Sequence, residues 1–328
     1  MKILFYALRP FDELQYCEPN REKYGIDYKW TEEVPTPDNL QLAEGCDAVS
    51  TNPCEVRPEY LEAFAKMGVK YLPCRSIGYD HIPLETAKQL GLRVSHSHYP
   101  PEGVANYTIM LMLMATRKMN QIMVRAAAQD YSLPGKMGHD LSSCTVGVIG
   151  TGKIGSTVIR HLSGFGCKIL AYDLYPSDAV RPYAEYVPLD ELYARSDVIT
   201  LHLNATPENH HLVDAGAIAK MKDGVLLINT ARGTLIDPES LLHGLESGKI
   251  GGAGLDVVED ENGICYYNRH DEALPNRELN LLRSYPNVIL SPHTAFYTDV
   301  NVASMVQSAF EAVSDFAAGR ENPCEVRL

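Results

Sequence analysis

Short apolar, β-branched runs alternate with amphipathic stretches along most of the chain. Lys2 to Leu8, Asp47 to Thr51, Val69 to Leu72 and Leu92 to Ser95 read as strands. Phe11 to Tyr24, Pro58 to Met67 and Leu84 to Leu90 read as helices, the second opened by proline and the last two stopped by Gly68 and Gly91. Such alternation predicts a parallel sheet in a first domain of about a hundred residues. The breaker cluster His98-Tyr99-Pro100-Pro101-Glu102-Gly103 marks a linker. Beyond it, Val104 to Gln129 predicts one long helix. Its apolar run from Ile109 to Met114 implies burial on most sides, in a core or at a subunit interface.

The alternation then resumes. Thr145 to Asp173 reads TVGVIGTGKIGSTVIRHLSGFGCKILAYD: an apolar strand, Gly150, Gly152 and Gly155 in G-x-G-x-x-G spacing, an amphipathic helix, and a second strand ending on an acid. Gly150 permits the tight turn, Gly152 lets backbone approach a pyrophosphate, and Gly155 lets the helix pack close to its strand. The free N–H groups at the helix start, around Lys153 and Ile154, would receive that pyrophosphate. The order of strand, turn, helix, strand and acid is the context the fingerprint requires. The plainer alternative is a βαβ unit with a glycine turn and no ligand. Asp173 can accept both ribose hydroxyls of NAD and would repel a 2′-phosphate, and no cation follows it before Arg181. NAD is therefore favoured over NADP.

Asp197 to Leu203, Val225 to Asn229, Gly254 to Val257 and Val288 to Leu290 continue as strands, and Pro238 to Ser247 as a helix. The final helix, Asn301 to Ala317, follows the last strand and could return to the first domain. The expected architecture is α/β: two doubly wound parallel-sheet domains, Rossmann/flavodoxin-like, with a cleft between them. Residues 1–99 and 299–328 would form the substrate domain, and residues 100–298 the NAD-binding domain.

Composition changes this picture little. A net charge of -13 with no compensating basic run argues against nucleic-acid or anionic-membrane partners. The eight cysteines are scattered with no C-x-x-C pair, which suits a reducing compartment, and the cytoplasm is the default. The N-terminal MKILFYALRPFDE reads as a strand rather than a signal peptide. The segment Asn52 to Arg57 (NPCEVR) recurs identically at Asn322 to Arg327 without any repeat period.

Three later segments carry polar residues where strands end, the position at which open α/β sheets bind ligands. They are Asn229-Thr230-Ala231-Arg232-Gly233, Leu255-Asp256-Val257-Val258-Glu259-Asp260-Glu261, and Ser291-Pro292-His293-Thr294-Ala295-Phe296. An arginine can grip a carboxylate with two parallel N–H bonds. A histidine held by an acid can give a proton to a carbonyl as hydride arrives. Together these suit a 2-oxo acid. Singly each has a plainer reading: Arg232 in a surface ion pair, the acid run as a solvated face, His293 as a capping residue. His210 with His211, and His96 with His98, could be imagined as metal ligands. No cysteine or acid completes a set at a recognisable spacing, so no metal is expected.

The segments TVGVIGTGKIG, MKDGVLLINTARG, GGAGLDVVEDE and SPHTAFYT together resemble the D-isomer-specific 2-hydroxyacid dehydrogenase family over nearly the whole length. HTAFYT and the RSIG of Arg75 to Gly78 look most like the D-lactate and D-2-hydroxyisocaproate branch. The resemblance implies His293 as general acid/base, with Glu261 pairing with it and raising its pKa, and Arg232 binding the substrate carboxylate. It implies substrate contacts from the Ile77 and Gly78 backbone, Tyr99 and Phe296, cofactor contacts from Thr230, Ala231 and Asp256, a homodimer built on the Val104 helix, and cleft closure with cofactor. Asn204 and His81 depart from the family's usual proline and asparagine. Lactate, 2-hydroxyisocaproate, phenyllactate and 2-hydroxyglutarate all stay open as substrates. A rival function is an NAD(H)-sensing regulatory protein of the same fold, against which the absence of a basic or low-complexity tail speaks.

Overall fold

The structure is a computed structural model describing residues 1–328. It divides into two compact units: Met1–Pro100 with Tyr297–Leu328, and Pro101–Phe296.

The first unit contains β1 (Lys2–Phe5), α1 (Leu14–Tyr24), β2 (Asp27–Trp30), β3 (Ala48–Ser50), α2 (Pro58–Lys66), β4 (Tyr71–Pro73), α3 (Leu84–Gln89) and β5 (Arg93–Ser95). Its five strands are parallel in the order β2-β1-β3-β4-β5, the flavodoxin-like winding, which reverses between β1 and β3. Apolar side chains cover both faces, as the β-branched strands require. Leu4, Val49, Leu72 and Val94 meet Leu61 and Phe64 on one side. On the other, Ile3, Phe5 and Tyr71 meet Val306, Ala309, Phe310 and Val313 of the terminal helix, so that helix does return to this unit. Strand β2 went unseen in the sequence because it is a short edge strand with no fully buried residue, and its DYKW alternation offers only two aromatic positions, Tyr28 and Trp30.

The second unit opens with α4 (Glu102–Thr116) and α5 (Met119–Ala127). The single helix expected from Val104 to Gln129 is therefore two. The amide of His139 takes the Thr116 carbonyl at 2.9 Å, and Lys118 adopts a left-handed φ of 52°, so the ladder cannot run through. The Ile109–Met114 run is buried on most sides, with Met110 its one exposed residue, whereas α5 buries no residue fully.

There follow β6 (Thr145–Ile149), α6 (Lys153–Leu162), β7 (Lys168–Tyr172), β8 (Glu185–Tyr186), α7 (Leu189–Arg195), β9 (Val198–Leu201), α8 (Ala215–Lys220), β10 (Val225–Asn229), α9 (Pro238–Ser247), β11 (Ile250–Leu255), α10 (Arg277–Ser284) and β12 (Val288–Leu290); α11 (Asp299–Ala318) is the terminal helix of the first unit. The seven parallel strands run β12-β11-β10-β9-β6-β7-β8. Counted within the unit this is the dinucleotide-binding order with one extra strand, and it reverses between β6 and β9. The glycine loop after β6 lies at that switch point.

Candidate active site

The glycine loop has the geometry its spacing implies. Gly150 has a φ of 93°, and a Cβ on Gly155 would lie 2.0 Å from the Gly150 carbonyl oxygen, so both positions exclude larger residues. A Cβ on Gly152 would meet nothing within 4 Å, which leaves room above the loop. The first helical bond of α6 runs from Ser156 to Gly152 at 2.9 Å. The amides of Lys153, Ile154 and Gly155 precede it and point out of the helix start, where the dipole favours an anion. Asp173 accepts bonds from the Thr151 amide (2.6 Å) and hydroxyl (3.0 Å) and from the Tyr175 amide (2.8 Å). A carboxylate offers about four acceptor sites, so Asp173 ties down the loop and can still accept from a ribose hydroxyl. The loop, helix start and acid fit an NAD phosphate and ribose.

Three adjacent strand ends carry the rest. After β10, Asn229 clamps its own turn: its side chain accepts from the Ala231 amide at 3.0 Å and donates to the Arg232 carbonyl at 2.8 Å. Thr230 is buried and hydrogen-bonded to Thr108 at 2.8 Å, so its hydroxyl anchors the turn to α4. The guanidinium of Arg232 donates to the Ala231 carbonyl at 2.8 Å and is half-buried. A Cβ on Gly233 would lie 2.1 Å from the Val258 carbonyl carbon, so this turn packs directly on the next strand's loop.

After β11, Asp256 is buried with both oxygens engaged. One accepts from the Ser291 hydroxyl (2.6 Å) and the Thr294 amide (2.9 Å), the other from the Ala295 amide (2.8 Å). It thereby holds the loop after β12. In that loop His293 has a φ of 55°, a strained conformation for a residue with a Cβ, and its amide donates to the Asp256 carbonyl at 2.7 Å. His293 Nδ1 lies 2.5 Å from Glu261 Oε1, while Glu261 Oε2 accepts from the Val258 amide at 3.0 Å. One imidazole nitrogen is thus committed to a carboxylate that is itself held. Tyr266 donates its hydroxyl to the His293 carbonyl at 3.2 Å, and its ring and that of Phe296 lie 5.9 and 6.3 Å from the imidazole.

The second unit therefore brings His293, Glu261 and Asp256 into direct connection, with Arg232 on the neighbouring strand end. Ile77, Gly78 and Tyr99 belong to the first unit. Ile77 and Gly78 follow β4, where the Ser76 hydroxyl donates to the Gly78 carbonyl at 2.6 Å and neither residue's amide enters the backbone network. Arg75 of the same RSIG segment is wholly buried beside Glu13 at 2.9 Å, so it supports the fold. Sequence reasoning missed Asn229, Ser291 and Tyr266 as positioning residues. It also missed Glu259, which lies beside the paired histidines His210 and His211. Asn229, Ser291 and Glu259 carried a signal, as polar residues in segments that follow strands, and Tyr266 carried none.

Residues 109–295 match the model of the D-isomer-specific 2-hydroxyacid dehydrogenase NAD-binding domain. The chain is 40% identical over 321 residues to an aromatic 2-oxoacid reductase of Clostridium sporogenes, covering 96% of each. It is 38% identical over 324 residues to a D-lactate dehydrogenase of Leuconostoc mesenteroides subsp. cremoris, covering 98% of each. A solved D-lactate dehydrogenase of Treponema pallidum superposes with a TM-score of 0.89 at 31% identity, covering 100% of both chains. No helix is long and apolar enough to cross a membrane. The chain belongs to the D-isomer-specific 2-hydroxyacid dehydrogenase family, as an NAD-dependent oxidoreductase.

Proposed function

We propose that the protein reduces a 2-oxo acid to the D-2-hydroxy acid at the expense of NADH. The observation that carries this reading is the His293–Glu261 pair, 2.5 Å apart and held on strained backbone by Asp256. NAD, when bound, supplies or accepts the hydride. His293 gives a proton from Nε2 to the carbonyl oxygen in reduction and takes it back in oxidation, because Nδ1 is committed to Glu261. Glu261 fixes the ring's orientation and balances its charge while it carries the proton. Arg232 grips the substrate carboxylate and polarises the adjacent carbonyl. Phe296 faces the substrate side chain, and its ring and that of Tyr266 beside His293 favour an apolar one.

The test is turnover of pyruvate, 4-methyl-2-oxopentanoate, phenylpyruvate and 2-oxoglutarate with NADH. An apolar oxo acid should be the best substrate, giving D product. His293→Ala should lose roughly 10²–10⁴-fold in kcat while keeping its affinity for NADH. Absence of turnover on every member would overturn the enzyme reading in favour of an NAD(H) sensor.

The protein is also proposed to act as a homodimer through the face of α4 and α5. Ile109, Met110, Leu113, Met114, Met119 and Phe165 line an apolar hollow there, and Met123 and Val124 of α5 are exposed. Contiguous apolar surface of this kind marks an interface. Light scattering should give a dimer, and Met110→Glu with Met123→Glu should shift it to monomer.

A further inference from the structure

In the second unit, three side chains that the proposed reaction does not use converge. His210 and His211 follow a short turn, Pro207–Asn209, fixed by reciprocal Thr206 and Asn209 capping bonds. Their rings stack with centroids 3.8 Å apart. Both Nε2 atoms face one carboxylate: His211 Nε2 lies 2.8 Å from Glu259 Oε2, and His210 Nε2 3.3 Å from Glu259 Oε1. The three donor groups all lie within 4.8 Å of one another. Ligand atoms around a tetrahedral Zn²⁺ with bonds of about 2.0–2.1 Å are about 3.3 Å apart, so small side-chain shifts would suffice. Behind the cluster, His211 Nδ1 lies 3.5 Å from Asp237 Oδ1, while the other Asp237 oxygen accepts the Ser240 amide and caps α9. A carboxylate behind a ligating imidazole is the usual device for fixing its tautomer.

We propose that His210, His211 and Glu259 bind one divalent transition-metal ion of the Zn²⁺ class, with Asp237 orienting His211. Two imidazoles and a carboxylate are the donor set such borderline ions take, and water would complete the coordination. The ion acts as a clamp rather than a reactant. The His211 amide already bonds the Thr234 carbonyl at 2.8 Å, two residues past Arg232, and Glu259 stands two residues before Glu261. Metal here would pin together the two loops that carry those residues.

The test is a titration of the chelator-treated full chain with Co²⁺, followed by Zn²⁺ competition. The expected result is one ion per chain, with ligand-field bands that lack thiolate charge transfer and vanish as Zn²⁺ displaces Co²⁺, and a higher thermal midpoint. His211→Gln and Glu259→Gln should each weaken binding more than tenfold. Asp237→Asn keeps a helix-capping side chain and should weaken it roughly 10–100-fold. His293→Ala should bind the metal unchanged. No binding of Co²⁺ or Zn²⁺, or binding that survives both His211→Gln and Glu259→Gln, would leave the cluster as histidine–carboxylate ion pairing only. Binding lost in His293→Ala would move the ion to the catalytic pair and overturn the assignment.

Discussion

At the scale of single residues, Arg232 is the most direct probe of substrate class. A 2-oxo acid presents a planar carboxylate beside its carbonyl, and a guanidinium offers two parallel donors matched to that plane. Lysine keeps the charge but not the fork, so Arg232→Lys is not conservative at such a site. If Arg232 both anchors the carboxylate and polarises the carbonyl, steady-state kinetics should show KM raised and kcat lowered together. The loss in kcat/KM should correspond to about 1.5–3 kcal/mol for each charge-assisted bond removed. The dissociation constant for NADH, followed by fluorescence, should barely move. A defect confined to NADH would assign Arg232 to the cofactor instead. The turn beneath it is braced independently by Asn229, so the substitution tests the guanidinium rather than the loop.

At the scale of elements, the site depends on how closely neighbouring loops approach. The turn at Gly233 packs on the Val258–Glu259 peptide with no room for a Cβ, since one placed there would fall 2.3 Å or less from three backbone atoms. Backbone cannot give way as a flexible side chain can. Gly233→Ala should therefore push the Arg232 turn away from the segment carrying Glu261, and displacements of about 1 Å at a catalytic constellation can cost 10²-fold. A drop in kcat/KM of that order, with the chain still folded by circular dichroism, is the expected outcome; near-normal kinetics would mean the loops can separate freely. The same reasoning explains what was legible in the sequence. Strands such as Val225–Asn229 and Val288–Leu290 were read to the residue because their apolar runs are short and sharply bounded. The glycine loop was legible because each glycine has a local backbone reason. The break at Lys118 was not, because it depends on His139 reaching back to the carbonyl of Thr116. Glu259 escaped for the same reason: it lies 48 residues from His211 in sequence, and only the winding of β9, β10 and β11 brings the two together.

At the scale of the whole molecule, each unit carries an inward-facing ionisable group whose proton affinity differs between folded and unfolded chain, Glu13 in the first and His202 in the second, and both make acid destabilising. In the first unit, burial acts to raise the Glu13 pKa, but the guanidiniums of Arg75 and Arg9 overcome it and hold the carboxyl below its usual range. That stability is present above the unfolded value of 4.5 and is lost as pH falls through the folded value. In the second unit, His202 keeps part of its surface in contact with solvent. Its Nδ1 is nevertheless shut away without a partner, and burial lowers its pKa from 6.5 to about 3. The unfolded chain therefore takes up a proton below 6.5 that the folded chain refuses, and stability declines from there towards 3. The two windows differ, so the units should respond to acid in sequence. Thermal midpoints recorded from pH 7.5 downwards should begin to fall near 6.5, and His202→Asn should flatten that first decline. Glu13→Gln leaves the wholly buried Arg75 charge uncompensated and should cost about 3–5 kcal/mol at neutral pH, read by urea unfolding. The double variant Glu13→Gln, Arg75→Met removes the charge together with its partner and should recover much of that loss. If it is no more stable than Glu13→Gln alone, the penalty comes from lost packing and hydrogen bonds around Ser50 and Tyr6, and the pair's charge is not what holds the first unit's switch point together.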